Sequence, residues 1–220
     1  MNFYDGYGNK VTNGESAPLN GKKAVFLGDS ITYLNNNFAT KNYWAWVSEL
    51  TGMACVPYGV GGSCITYVAA TGNSLDDSFC VRYATMDDDA DIVVVAGGTN
   101  DANIATIGKY GDTDNTTLYG ALGFLMDALR TKYPTSQIIF MTPCDKYNDN
   151  SGSIQLVAKA IKEMAEKHCI EVYDNRQHSG IFPHIAENKA YYTADGVHWN
   201  NAGHEAVGKH LAYYLMNSRK

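Results

Sequence analysis

With 220 residues, 45% of them hydrophobic and 18% charged, the chain has the composition of one ordinary globular domain built on one core. A formal charge of −6 with no basic stripe speaks against nucleic acid or an anionic membrane surface as a partner. There is no run of about 18 apolar residues, so insertion of a membrane-spanning helix is excluded. The opening MNFYDGYGNK has neither the basic start nor the apolar centre of a signal peptide, which leaves a cytoplasmic protein and an excised or secreted bacterial domain both open. The cysteines, Cys55, Cys64, Cys80, Cys144 and Cys169, are odd in number and form no CxxC pair. They are expected as buried free thiols, not as a disulfide framework.

Residues 1 to 21 are rich in Gly, Asn and Ser and read as an irregular arm or linker, leaving 22 to 220 as a single domain. Lys23 to Leu27 is the first apolar run of strand length. Tyr43 to Leu50 suits a helix closed at Thr51-Gly52, and Ala54 to Pro57 a weak second strand. Leu75 to Tyr83 is predicted as a helix and Asp91 to Ala96 (DIVVVA) as the clearest buried strand. Leu118, Leu122, Leu125, Leu129 and Tyr133 share one face of a helix over 117–133. Gln137 to Met141 follows as a strand; Ile154, Val157, Ile161, Met164 and His168 then mark a second amphipathic helix. Ile170 to Tyr173 is the last strand, and Val207, Leu211 and Leu215 stripe the closing helix. Five strands alternating with helices predict an α/β fold: a parallel sheet covered on both faces, a three-layer α/β/α sandwich.

In such sheets ligands bind beyond the carboxyl ends of the strands. The first strand is followed by Gly28-Asp29-Ser30 and the second by Tyr58-Gly59-Val60-Gly61-Gly62-Ser63. The third is followed by Gly97-Gly98-Thr99-Asn100-Asp101, and Asp195-Gly196-Val197-His198-Trp199-Asn200 precedes the last helix. These loops hold the parts of an acyl-transfer site. A serine hydroxyl needs an adjacent base to become a nucleophile. His198 can be that base for Ser30, with Asp195, three residues earlier, fixing its tautomer. The developing oxyanion needs donors, which the Ser30 and Gly62 backbone N–H groups and the Asn100 amide can supply. Each loop alone is an ordinary turn; their order and their common place at strand ends carry the reading.

With these residues in place, the sequence resembles the SGNH (GDSL-type) hydrolase family over about residues 22 to 218: Ser30 in GDS, Gly62 in GVGG, Asn100 in GTND and His198 in DGVH. The resemblance implies a flavodoxin-like sandwich of strand order 2-1-3-4-5 and a serine esterase working through an acyl-enzyme, with no metal or organic cofactor. Trp199 stands where many members carry Pro or Leu. It flanks the histidine as Asp29 flanks the serine, and both are assigned to substrate binding.

Rival chemistries find less support. GxSxG, P-loop and GxGxxG elements are missing from the strand ends. His198, His204 and His210, six apart, do not share a helical face as metal ligands would. The Asp87-Asp88-Asp89 run suits a solvated loop, Cys64 a packed thiol, and Asp101 a turn or helix cap. The loops 102–115 and 146–153 are polar, with Tyr110, Tyr119, Tyr147, Tyr191 and Tyr192 nearby in sequence. They favour a small acyl group on a polar alcohol, such as an acetylated carbohydrate. A lysophospholipase or thioesterase, and a catalytically idle glycan-binding module, are the alternatives.

Overall fold

The computed structural model describes residues 3–4, 10–11, 19–33 and 38–218. Five strands form one all-parallel sheet: β1 Lys23–Gly28, β2 Ala54–Gly59, β3 Ile92–Ala96, β4 Gln137–Met141 and β5 Glu171–Tyr173. Their spatial order, β2-β1-β3-β4-β5, is the expected 2-1-3-4-5. The helices are α1 Ser30–Tyr33, α2 Tyr43–Thr51, α3 Phe79–Arg82, α4 Asp101–Ile104, α5 Leu118–Lys132, α6 Ser153–Lys167, α7 Asn175–His178, α8 Ala186–Tyr192 and α9 Asn201–Ser218.

The central strands are apolar throughout because both of their faces are covered. Val25, Leu27, Val93, Val95, Ile138 and Phe140 point to one side and pack with the buried stripes of α5 and α6. Ala24, Phe26, Ile92, Val94, Ile139 and Met141 point to the other and pack with Tyr43 and Val47 of α2 and Val207, Leu211 and Leu215 of α9. β2 is an edge strand, which is why its sequence is weak: Pro57, lacking an N–H, is exposed there.

Register decides where the loops go. Gly28 pairs with Gly59 and with Ala96, Ala96 with Met141, and Met141 with Tyr173. All five strands therefore end in line, and the loops that leave them share one edge. Gly59 lets β2 finish against the turn that carries Ser30: a Cβ there would lie 2.3 Å from the Tyr33 backbone nitrogen.

The predicted helix over 75–83 is broken. Leu75–Asp77 and Tyr83–Thr85 are 3-10 turns, and α3 is a single turn between them. Ser78 causes the break: it is extended (φ −62, ψ 147), and its side chain accepts from the Cys80 N–H. The short helices α7 and α8 were not expected. Most of the N-terminal arm lies outside the described residues; of those that are described, Phe3–Tyr4 pairs antiparallel with Lys10–Val11. The cysteines are free thiols, with Cys64, Cys80 and Cys144 buried; Cys169 departs from the expectation by being exposed. Among the described residues no helix is long and apolar enough to cross a membrane.

Candidate active site

The chain turns from β1 into α1 within one residue, Asp29. Its Oδ1 accepts from the Ile31 N–H at 2.9 Å, which draws the carboxylate inward. Asp29 is 2% exposed, and burial pushes its pKa up to about 6. Ser30, at 9% exposure, opens α1, and its backbone N–H has no hydrogen-bond partner among the described residues.

Across the edge, residues 193–199 form a closed loop in which Thr193 bridges Trp199 and the Ala194 N–H donates to the His198 carbonyl at 2.9 Å. The loop presents His198 Nε2 to Ser30 Oγ at 3.0 Å, although the two residues are 168 apart in sequence. His198 Nδ1 lies 2.8 Å from Asp195 Oδ2. A proton on Nδ1 satisfies Asp195 and leaves Nε2 free to accept from the serine, so the hydrogen-bond network assigns that tautomer. Burial works to raise the Asp195 carboxyl, but hydrogen bonds from the His198 ring and from the His198 and Val197 N–H groups outweigh it and hold the pKa below the usual range. The His198 side chain is 24% exposed, and one ring face is covered by Phe38, stacked at 5.2 Å and 30°.

Gly62 adopts φ +76, a left-handed conformation that favours glycine, and its N–H has no partner among the described residues. Asn100 precedes α4 and donates through Nδ2 to the Ser63 carbonyl at 2.9 Å; an amide nitrogen carries a second hydrogen that can serve a ligand. Asp101 is neither a turn residue nor a cap. Fully buried, it accepts from the Ile65 N–H (2.9 Å), the Thr66 N–H (2.9 Å) and the Thr66 hydroxyl (2.8 Å), and so fastens the stretch after Gly62.

Ser30, Asp195 and His198 are thus joined by direct hydrogen bonds, and Gly62 and Asn100 sit in the adjoining loops of the same edge. Asp29 and Trp199, assigned to substrate binding, are both buried, and both line a small cavity beside the serine turn. Trp199 is 3% exposed and packs edge-on against Tyr43 and His204, with centroids 5.8 and 5.4 Å away. The tyrosines also scatter: Tyr119 is buried and bonded to Glu163, and Tyr110 lies under Lys167. Tyr147 does abut the site, its N–H donating to the Gly196 carbonyl at 2.8 Å and its ring lying 3.6 Å from Lys189 Nζ. Sequence reading missed Phe38, the clamping role of Asp101, and Arg82. For Arg82 a signal existed: it is the sole Lys or Arg between Lys41 and Lys109.

The fold is a flavodoxin-like α/β/α sandwich of order 2-1-3-4-5, with the hydrogen-bonded Ser30–His198–Asp195 chain at its carboxyl edge. The chain belongs to the GDSL-like Lipase/Acylhydrolase family, whose sequence model matches residues 26–206. Among solved structures it is similar to a protein from Lactobacillus plantarum, at 30% identity and TM-score 0.81 over 90% of this chain and 98% of that one. It shares the fold of the lipase/acylhydrolase from Enterococcus faecalis, at 18% identity and TM-score 0.63 over 90% of this chain and 97% of the other. No curated protein matches.

Proposed function

We propose that the chain is a serine esterase that cleaves carboxylic esters through an acyl-enzyme, with a small acyl group on a polar alcohol as its substrate. The observation that carries the reading is the continuous Ser30–His198–Asp195 relay, with contacts of 3.0 and 2.8 Å. Ser30 Oγ attacks the ester carbonyl while His198 Nε2 takes its proton. The carbonyl π electrons move onto oxygen, where the Ser30 and Gly62 N–H groups and the Asn100 amide meet the charge. Collapse of the tetrahedral intermediate expels the alkoxide, which receives the proton from His198. Water then repeats the sequence on the acyl-serine, releasing the acid and restoring the hydroxyl.

One feature supports a polar alcohol. The rim beside the histidine loop carries polar groups, with Lys146 bonded to Asn103 and Lys189 over Tyr147. Carbohydrate acetate fits this chemistry. Acetate release from acetylated xylan, run beside p-nitrophenyl acetate, butyrate and palmitate, tests it: the acetyl substrates should turn over fastest. Preference for palmitate would move the reading to a lysophospholipase or thioesterase. Glycan binding without any hydrolysis would leave an idle binding module.

A further inference from the structure

Arg82, the last residue of α3, is a partly buried cation that the Ser–His–Asp relay does not use. Its guanidinium donates from Nε to the Asp77 carbonyl (2.8 Å) and from Nη1 to the Tyr58 carbonyl (2.7 Å). Nη2 is shared between the Gly28 carbonyl (2.9 Å) and the Ser63 hydroxyl (2.8 Å). No carboxylate hydrogen-bonds to it among the described residues. Desolvation lowers its pKa to about 10, which still leaves it charged at neutral pH.

The Asp77 carbonyl is a local anchor; each of the other three acceptors supports a different part of the proposed oxyanion site. Gly28 closes β1 two residues before Ser30. Tyr58 lies one residue from the end of β2. Ser63 comes directly after Gly62, and it passes the restraint on: its hydroxyl also lies 2.8 Å from the Val60 carbonyl, and its own carbonyl receives Asn100 Nδ2 at 2.9 Å. On the far side of the same loop Asp101 grips Ile65 and Thr66, each backbone N–H at 2.9 Å. One planar fork therefore joins the supports of all three oxyanion donors. A lysine ammonium, a point donor on a flexible stem, cannot span those acceptors.

We infer that Arg82 is the positioning residue of the oxyanion site: it locks the Ser30, Gly62 and Asn100 donors into one frame and sets a positive charge behind them. The inference rests on the esterase reading. Donors held in place before the reaction need no reorganisation as charge develops, so the effect falls on the transition state and not on substrate binding.

Steady-state kinetics on p-nitrophenyl acetate with wild type, Arg82→Met, Arg82→Lys and Ser63→Ala tests this. Arg82→Met should lose about 30- to 300-fold in kcat with KM within about twofold, since loosening three donors compares with deleting one. Affinity for a boronic acid, whose tetrahedral adduct mimics the intermediate, should fall in step with kcat. Arg82→Lys should recover part of the loss by restoring charge without the fork. Ser63→Ala, a milder change should Arg82→Met not fold, should lose about 3- to 10-fold in kcat alone. The pH limbs of kcat/KM should stay fixed throughout, because the relay is untouched. Full kcat in the folded Ser63→Ala and Arg82 variants, or a loss carried by KM, would overturn the inference while leaving the esterase reading standing. A wild type that hydrolyses no ester would instead remove that reading, and this inference with it.

Discussion

Asp195 gives both carboxylate oxygens to one neighbour: Oδ1 accepts from the His198 backbone N–H at 2.8 Å and Oδ2 meets the His198 ring at Nδ1, also at 2.8 Å. Backbone and ring are gripped by the same group, so the carboxylate sets both the place and the tautomer of the imidazole. Asp195→Asn keeps the shape and loses the charge. It should lower kcat about 10²- to 10⁴-fold while leaving the fold intact, as steady-state kinetics alongside circular dichroism will read.

Asn100 holds the Ser63 carbonyl at 2.9 Å and, in the proposed mechanism, offers its second amide hydrogen to the oxyanion. Asn100→Ala should lower kcat about 100- to 1,000-fold with little change in KM. An increase in KM of the same size would make Asn100 a ground-state binding residue instead.

Gly59 faces the α1 backbone, where an added Cβ would meet Tyr33 N at 2.3 Å and the Thr32 carbonyl carbon at 2.7 Å. Neither atom can swing aside as a side chain would. Gly59→Ala should cost about 1–3 kcal/mol in a urea melt by overpacking, and it should slow acylation by displacing Ser30. Wild-type stability together with wild-type labelling would contradict that close approach.

Asp29 makes stability depend on pH in an unusual direction. Burial raises its folded pKa from 3.8 to about 6, so folding favours the protonated acid. That contribution is complete below the unfolded pKa and is lost as pH rises through the folded one. Wild type should therefore fall behind Asp29→Asn by up to about 3 kcal/mol between pH 4 and 6, and no further above it. Urea melts across that range measure the gap; a gap opening towards acid would contradict the assignment.

The fold was legible where one force dominates. DIVVVA and QIIFM are buried on both faces and read as strands from apolarity alone, and their alternation with helices implied the parallel sheet. The site was legible because a parallel sheet gathers strand ends at one edge, which turned loops far apart in sequence into neighbours. The burial of Trp199 was not legible, because it depends on the Thr193–Trp199 bridge, a tertiary detail. The predicted helix over 75–83 failed because Ser78 is extended and its oxygen takes the Cys80 N–H that a continuous helix would have used. Arg82 and Asp101 escaped because most of their partners are backbone groups, which leave no mark on sequence pattern.

The central claim is that Ser30 is the nucleophile. Intact-mass analysis after exposure to a fluorophosphonate tests it most directly, with wild type and Ser30→Ala side by side. Wild type should gain one adduct, mapped by peptide sequencing to Ser30, and Ser30→Ala should gain none while keeping its fold. A folded wild type that stays unlabelled, or an adduct that survives in Ser30→Ala, would contradict it.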